Sequence, residues 1–154
     1  MLIVLFIILI LAIVGYVISA LSLAKVARHI GLSPVFAWIP LANVYLVYRA
    51  VDAKMWVYWV YLFTYIVNAF IPSNVNRMDA LLLFGSLLVQ IAFIASSIYL
   101  LIVLYRLTKK YDCSTTLFWI GVFIFPVQIY LYYKIGQVAE QRQIEEEKEI
   151  EFKE

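Results

Sequence analysis

The residue types best suited to covalent or acid–base chemistry are scarce: one histidine, His29, and one cysteine, Cys113. They lie in different parts of the chain, and Asp112 is the only acid beside the cysteine, so no nucleophile–base pair is suggested. A zinc site of ordinary composition needs three or four His or Cys ligands, which one of each cannot supply. A lone cysteine also forms no intrachain disulfide. Asp52, Asp79 and Asp112 fall at the edges of apolar segments, whereas pumps and ion-coupled carriers place an ionisable group deep inside one. With five glycines there is no phosphate loop, and no nucleic-acid signature is present. The expectation is a chain that is not an enzyme, with no catalytic residue, no metal and no cofactor.

Two amides remain. Asn43 and Gln128 each follow a proline-containing break in an apolar segment. They could line a shared polar cavity that receives a ligand or lipid headgroup. Equally, each could cap backbone groups freed by Pro40 and Pro126.

The elements that position these amides follow from composition. The chain is 66% hydrophobic and 14% charged, against about 45–50% and about 25% in soluble domains. A soluble fold of 154 residues could not hide that much apolar surface. Residues 2–24 form an uncharged run of 23, enough to cross the roughly 30 Å of bilayer hydrocarbon. It is too long, and lacks the preceding basic residue, for a signal peptide, so it reads as a retained span. Apolar segments follow at about 31–48, 55–71, 80–105 and 113–133. The third and fourth are separated by the polar turn 72–79 and read as a helical hairpin.

Charge placement decides between spanning and re-entry for 31–48 and 113–133. If both dip in and return, Lys25, Arg28, Arg49, Lys54, Arg106, Lys109, Lys110 and Lys134 share one side, with only Arg77 opposite. If both cross, the cations divide four against five, so re-entry obeys the positive-inside rule better. The expected fold is therefore an all-α integral membrane protein. It has three full transmembrane helices and two Pro-broken re-entrant or interfacial segments, its N-terminus outside and its tail cytoplasmic. The alternative is four or five full spans.

A repeat runs through the embedded part. At an offset of 81, Lys25-x-x-Arg28-His29-x-x-x-Ser33 aligns with Arg106-x-x-Lys109-Lys110-x-x-x-Ser114, and Trp38-Ile39 aligns with Trp119-Ile120. Four more residues enter the second copy, and Asn43-Val44-Tyr45-Leu46-Val47-Tyr48-Arg49 then matches Gln128-Ile129-Tyr130-Leu131-Tyr132-Tyr133-Lys134. The competing explanation is aromatic bias. With both basic clusters on one side, the duplication is parallel, copy one spanning about 1–71 and copy two about 80–136 within a membrane domain 1–136. The tail 137–154, with seven Glu, is acidic and either helical or frayed.

Other residues receive structural expectations. Trp38, Tyr45, Tyr48, Trp119, Tyr130 and Tyr133 suit interfacial anchoring. Lys25, Arg28, Arg49, Lys109, Lys110 and Lys134 form a basic collar facing anionic lipid headgroups. Helix-packing faces are expected at Gly15, Ser19 and Ser22, at Tyr58, Tyr61, Tyr65 and Asn68, and at Ser86, Gln90 and Ser97.

The stretch Trp38-Ile39-Pro40-Leu41-Ala42-Asn43-Val44-Tyr45 resembles the Trp-x-Pro-x-x-Asn-x-Tyr pattern of a group of small bacterial multi-span membrane proteins. Some members of that group are found with signal peptidase I. The likeness departs at Asp52-Ala53-Lys54, where the group carries a Gly-Lys-Pro-like turn. The resemblance implies the bacterial cytoplasmic membrane and no particular activity. The resulting expectation is a non-catalytic membrane subunit or accessory factor with a membrane-protein partner or self-association. The alternative is a small lipid- or small-molecule-handling transporter or channel acting as an oligomer.

Overall fold

A computed structural model describes residues 2–70 and 80–152, all of them in helices or the turns joining them. The polar turn 72–79, with Arg77 and Asp79, lies outside the described residues. The order is α1 (Leu2–His29), a 3-10 turn (Pro34–Trp38), α2 (Pro40–Ala50), α3 (Met55–Phe70), α4 (Ala80–Lys110), α5 (Thr115–Phe123) and α6 (Phe125–Glu151). Over Ile3–His29 and Phe84–Lys110, α1 and α4 are long and apolar enough to cross a membrane, and α3 is a shorter apolar helix.

Three helices end with the same device at one end of the molecule. In α1 the Leu32 N–H reaches back to the Ala27 carbonyl and the Gly31 N–H to Arg28; Ala53 to Tyr48 and Asp52 to Arg49 repeat this after α2. Cys113 to Thr108 and Asp112 to Lys109 repeat it again after α4. Each cap needs one left-handed residue, supplied by Gly31 (φ 72°), Asp52 (φ 51°) and Asp112 (φ 51°). Three residues before each stands a cation, Arg28, Arg49 or Lys109, which complements the negative end of its helix.

The two stretches offset by 81 make the same turn after their basic clusters and then differ, a 3-10 turn (Pro34–Trp38) following in the first and an α-helix (Thr115–Phe123) in the second. Gly31 and Asp112 occupy the same place, and Ser33 (φ −62°, ψ 131°) and Ser114 (φ −61°, ψ 121°) both precede the next helix. The breaks also correspond after the four added residues. Ile39 and Ile124 are extended, and their carbonyls accept from the N–H groups of Asn43 and Gln128. Proline stands first in α2 (Pro40) and second in α6 (Pro126), within the first turn, where its missing N–H costs nothing.

Both breaks lie halfway along α1. The Tyr16 hydroxyl donates to the Trp38 carbonyl at 2.5 Å, and Gly15 faces Phe125 and Ile129. Tyr16 is about 20 Å from the capped end at 1.5 Å per residue. From that level α6 runs parallel to α1: Gly136 meets Ser22, Lys25 pairs with Glu140 at 2.6 Å, and His29 lies 3.9 Å from Glu146. Each of the segments 31–48 and 113–133 thus runs back from the capped end, turns level with the middle of α1 and returns.

The α1–α6 contact uses the expected small residues. Gly15 and Ser22 are buried and Ser19 half-buried, and both serine hydroxyls bond back to their own helix, to the Gly15 and Ile18 carbonyls. They act by being small rather than by bridging. Between α3 and α4, Tyr61 stacks on Phe93 at 5.9 Å, and buried Thr64 accepts no role foreseen for it in the sequence. On this face Tyr65 is exposed, and Asn68 donates to the Thr64 carbonyl one turn earlier. The third expected face is rotated: Gln90 is exposed, Ser97 half-buried and Ser86 half-buried, while Ser96 is the buried serine.

Tyr48 corrects the anchor assignment. It is fully buried, its ring 5.8 Å from Tyr58 and 6.0 Å from Tyr99, because α2 is enclosed by α3 and α4 where Tyr48 falls. Tyr45 is half-buried against Phe36 and Tyr58. Trp38 is exposed but lies beside Tyr16, halfway along α1, rather than near the capped end.

α6 passes through positions 136 and 137 without interruption, so the acidic tail is the outer half of one 27-residue helix.

Candidate functional site

The segment break that produces Gln128 also produces a cavity. α5 and α6 meet at an acute turn, and Gly121 permits it: a Cβ there would sit 3.1 Å from the Gln128 backbone. Behind that contact, α4, α5 and α6 enclose about 100 Å³. Apolar side chains such as Leu104, Phe118 and Leu131 line it, with Thr108, Gln128 and Tyr132 as its polar members. Thr108 is committed to its own helix through the Leu104 carbonyl. Gln128 and Tyr132 stand one turn apart on the same face of α6, both on the cavity wall. An enclosure of this size accepts a small molecule or a few waters, with an amide and a phenol to orient it.

Asn43 is not part of this lining; the cavity belongs to the second stretch alone. Among the described residues neither amide side chain bonds to the main chain around its break. Gln128 lines the cavity, and the backbone N–H groups of Asn43 and Gln128 close the two breaks onto the Ile39 and Ile124 carbonyls. Thr108 was not singled out in sequence, and Tyr132 only as one more interfacial aromatic of the second copy; the four-residue spacing from Gln128 to Tyr132 was the available signal.

A second cluster sits at the capped end, where the outer half of α6 lies across α1 and α4. Arg142 donates to the Lys110 carbonyl at 2.9 Å and to Asp112 at 2.5 Å, and its guanidinium lies 5.6 Å over the Tyr111 ring. Tyr111 is fully buried and packs edge-on against His29 at 5.9 Å. Burial pushes the Tyr111 phenol up to about 12, with Arg142 opposing and Glu146 adding, so it stays neutral. Burial likewise pushes the Cys113 thiol up; Lys134 and Arg142 oppose this and Asp112 adds to it. A thiol held protonated at neutral pH is a poor nucleophile. The arrangement is a clasp for the tail helix.

The remaining basic residues are dispersed around this end. Lys25 is tied to Glu140, Lys110 donates to the Ala50 carbonyl at 2.6 Å, and Lys109 and Lys134 lie over the Tyr105 and Tyr130 rings. Arg28 and Arg49 are exposed and make no ion pair among the described residues. Of the outward aromatics, Trp119 and Tyr130 are exposed, and Tyr133 accepts from Gln137.

No protein-family model matches the chain, and no curated protein and no solved structure is significantly similar to it.

Proposed function

We propose that the chain is an integral membrane protein serving as a non-catalytic subunit or accessory factor of a larger membrane assembly. In this reading α1, α3 and α4 span, the segments 31–48 and 113–133 re-enter from the cytoplasmic side, and the two stretches are a parallel duplication. The cations gathered on or toward the capped end support that orientation. The observation that carries the assignment is the first half of α1. From Ile3 to Val14 every residue is exposed, on all faces of the helix, because both breaks stop at the level of Gly15 and Tyr16. A span that finds half its length without a neighbour among the described residues leaves that half for another protein.

Photo-crosslinking from position Leu9 in native membranes tests this. The expected result is one stoichiometric protein adduct of discrete mass. Lipid adducts alone, with the chain purifying as a solitary species, overturn it. Orientation is read separately, by labelling a cysteine placed at Arg49 in a Cys113→Ser background. Reactivity from the outer side would remove the re-entrant reading.

A second reading, a small-molecule carrier, is favoured by the Gln128 cavity. There, alanine at Gln128 should abolish flux and alanine at Asn43, outside the lining, should not. Unchanged flux in the Gln128 variant sinks it.

A further inference from the structure

The two capping aspartates are unequal. A carboxylate just beyond a helix C-terminus faces the negative end of the helix, and glycine or asparagine would hold the left-handed turn more cheaply. Asp112 is compensated, since Arg142 from α6 pairs with it. Asp52, in the same backbone position after α2, makes no ion pair among the described residues, although two cations stand near it. Arg49, Asp52 and Lys110 open onto one depression of about 250 Å³, floored by Ile30 and Leu32 from the turn after α1. Among the described residues Arg49 also makes no ion pair, and Lys110 is held through the Ala50 carbonyl. Two positive groups and one negative group thus face a common space without touching, over an apolar floor, at the end where three helices close.

We propose that this depression is a headgroup site for a phosphoethanolamine lipid. The phosphate is taken by Arg49 and Lys110, the primary ammonium by Asp52, and the glycerol end lies over Ile30 and Leu32. The charges match a zwitterion of that polarity, and a carboxylate would repel a purely anionic ligand. A phosphate monoanion shares the Arg49–Lys110 chemistry, so free phosphate is the competing source. The inference rests on the membrane reading given above, which supplies the lipid.

The test uses the full-length chain, delipidated in detergent, with lipid binding followed by native mass spectrometry. Probes are phosphatidylethanolamine, phosphatidylcholine and phosphatidylglycerol of identical acyl chains, and inorganic phosphate alone. Phosphatidylethanolamine is expected to bind about tenfold tighter than phosphatidylcholine, whose quaternary nitrogen cannot donate to Asp52. D52N should erase that difference while leaving the turn intact, since asparagine tolerates positive φ. R49Q and K110Q should weaken every phospholipid, glutamine at 110 still donating to Ala50. Equal binding of the ethanolamine and choline lipids by the wild type overturns the proposal, as does tighter binding of phosphatidylglycerol. Equal losses from K109Q, at a cation outside the depression, reduce the site to a diffuse collar and also overturn it. Displacement of all lipids by millimolar inorganic phosphate assigns the site to the free ion, against the proposal. Failure of the membrane reading is distinguishable: the protein would then leave membranes in alkaline carbonate without detergent, before any lipid is added.

Discussion

Tyr48→Ala is expected to destabilise the folded chain by about 3–5 kcal/mol, the range for deleting a large buried ring. Tyr48 is completely enclosed, and its ring joins Tyr58 on α3 to Tyr99 on α4, so its loss removes a contact common to three elements. Tyr48→Phe is expected to have the opposite character. The Tyr48 hydroxyl is buried without a hydrogen-bond partner, and removing an unsatisfied polar group is neutral to stabilising. Unfolding midpoints of the two variants in detergent, against the wild type, separate the contributions of ring and hydroxyl. A phenylalanine variant as damaged as the alanine one would show that the hydroxyl is satisfied and that the argument from packing fails.

Gly136→Val should be the most harmful change at a glycine. A Cβ at 136 would lie 2.9 Å from both the Ser22 Cα and the Ser22 carbonyl oxygen, and these are backbone atoms that cannot rotate away. α1 and α6 must then separate, at about 1–3 kcal/mol for overpacking. The separation also undoes the register that brings Lys25 to Glu140 and His29 to Glu146. Hydrogen exchange should therefore rise along the outer half of α6, beyond the substituted turn. Gly85→Val is the matched control, since nothing lies within 4 Å of a Cβ there. Equal effects at the two positions would contradict the close α1–α6 approach.

The two predictions also mark where the sequence was legible. The apolar segments, the breaks near Pro40 and Pro126 and the small face of α1 could be read, because proline, glycine and uninterrupted apolar runs act locally. So could the correspondence between residues 25–49 and 106–134. The left-handed caps at Gly31 and Asp112 were not read there, although the two positions fall opposite each other at the offset of 81. What could not be read was rotational phase. α4 is apolar on nearly every side, so nothing in its composition says that Ser96 rather than Gln90 faces α3. Tyr48 looks like any interfacial tyrosine until α3 and α4 are laid over it. Gly136 reads as the start of a polar tail, and its role depends on Ser22, more than a hundred residues away. The third cap, at Asp52, escaped for a different reason: it falls outside the offset of 81, and an aspartate does not announce a left-handed turn.

The continuity of α6 has a mechanical consequence. Its 27 residues make a rod of about 40 Å with no proline beyond its first turn and no glycine other than Gly136. Gly136 is also where its backbone lies against that of α1, at Ser22. α1 holds the rod on both sides of that point, through Phe125 and Ile129 at Gly15 and through Glu140 at Lys25. A sideways load on the glutamates is therefore taken up by α1 along the length of the contact before it reaches the Gln128 end.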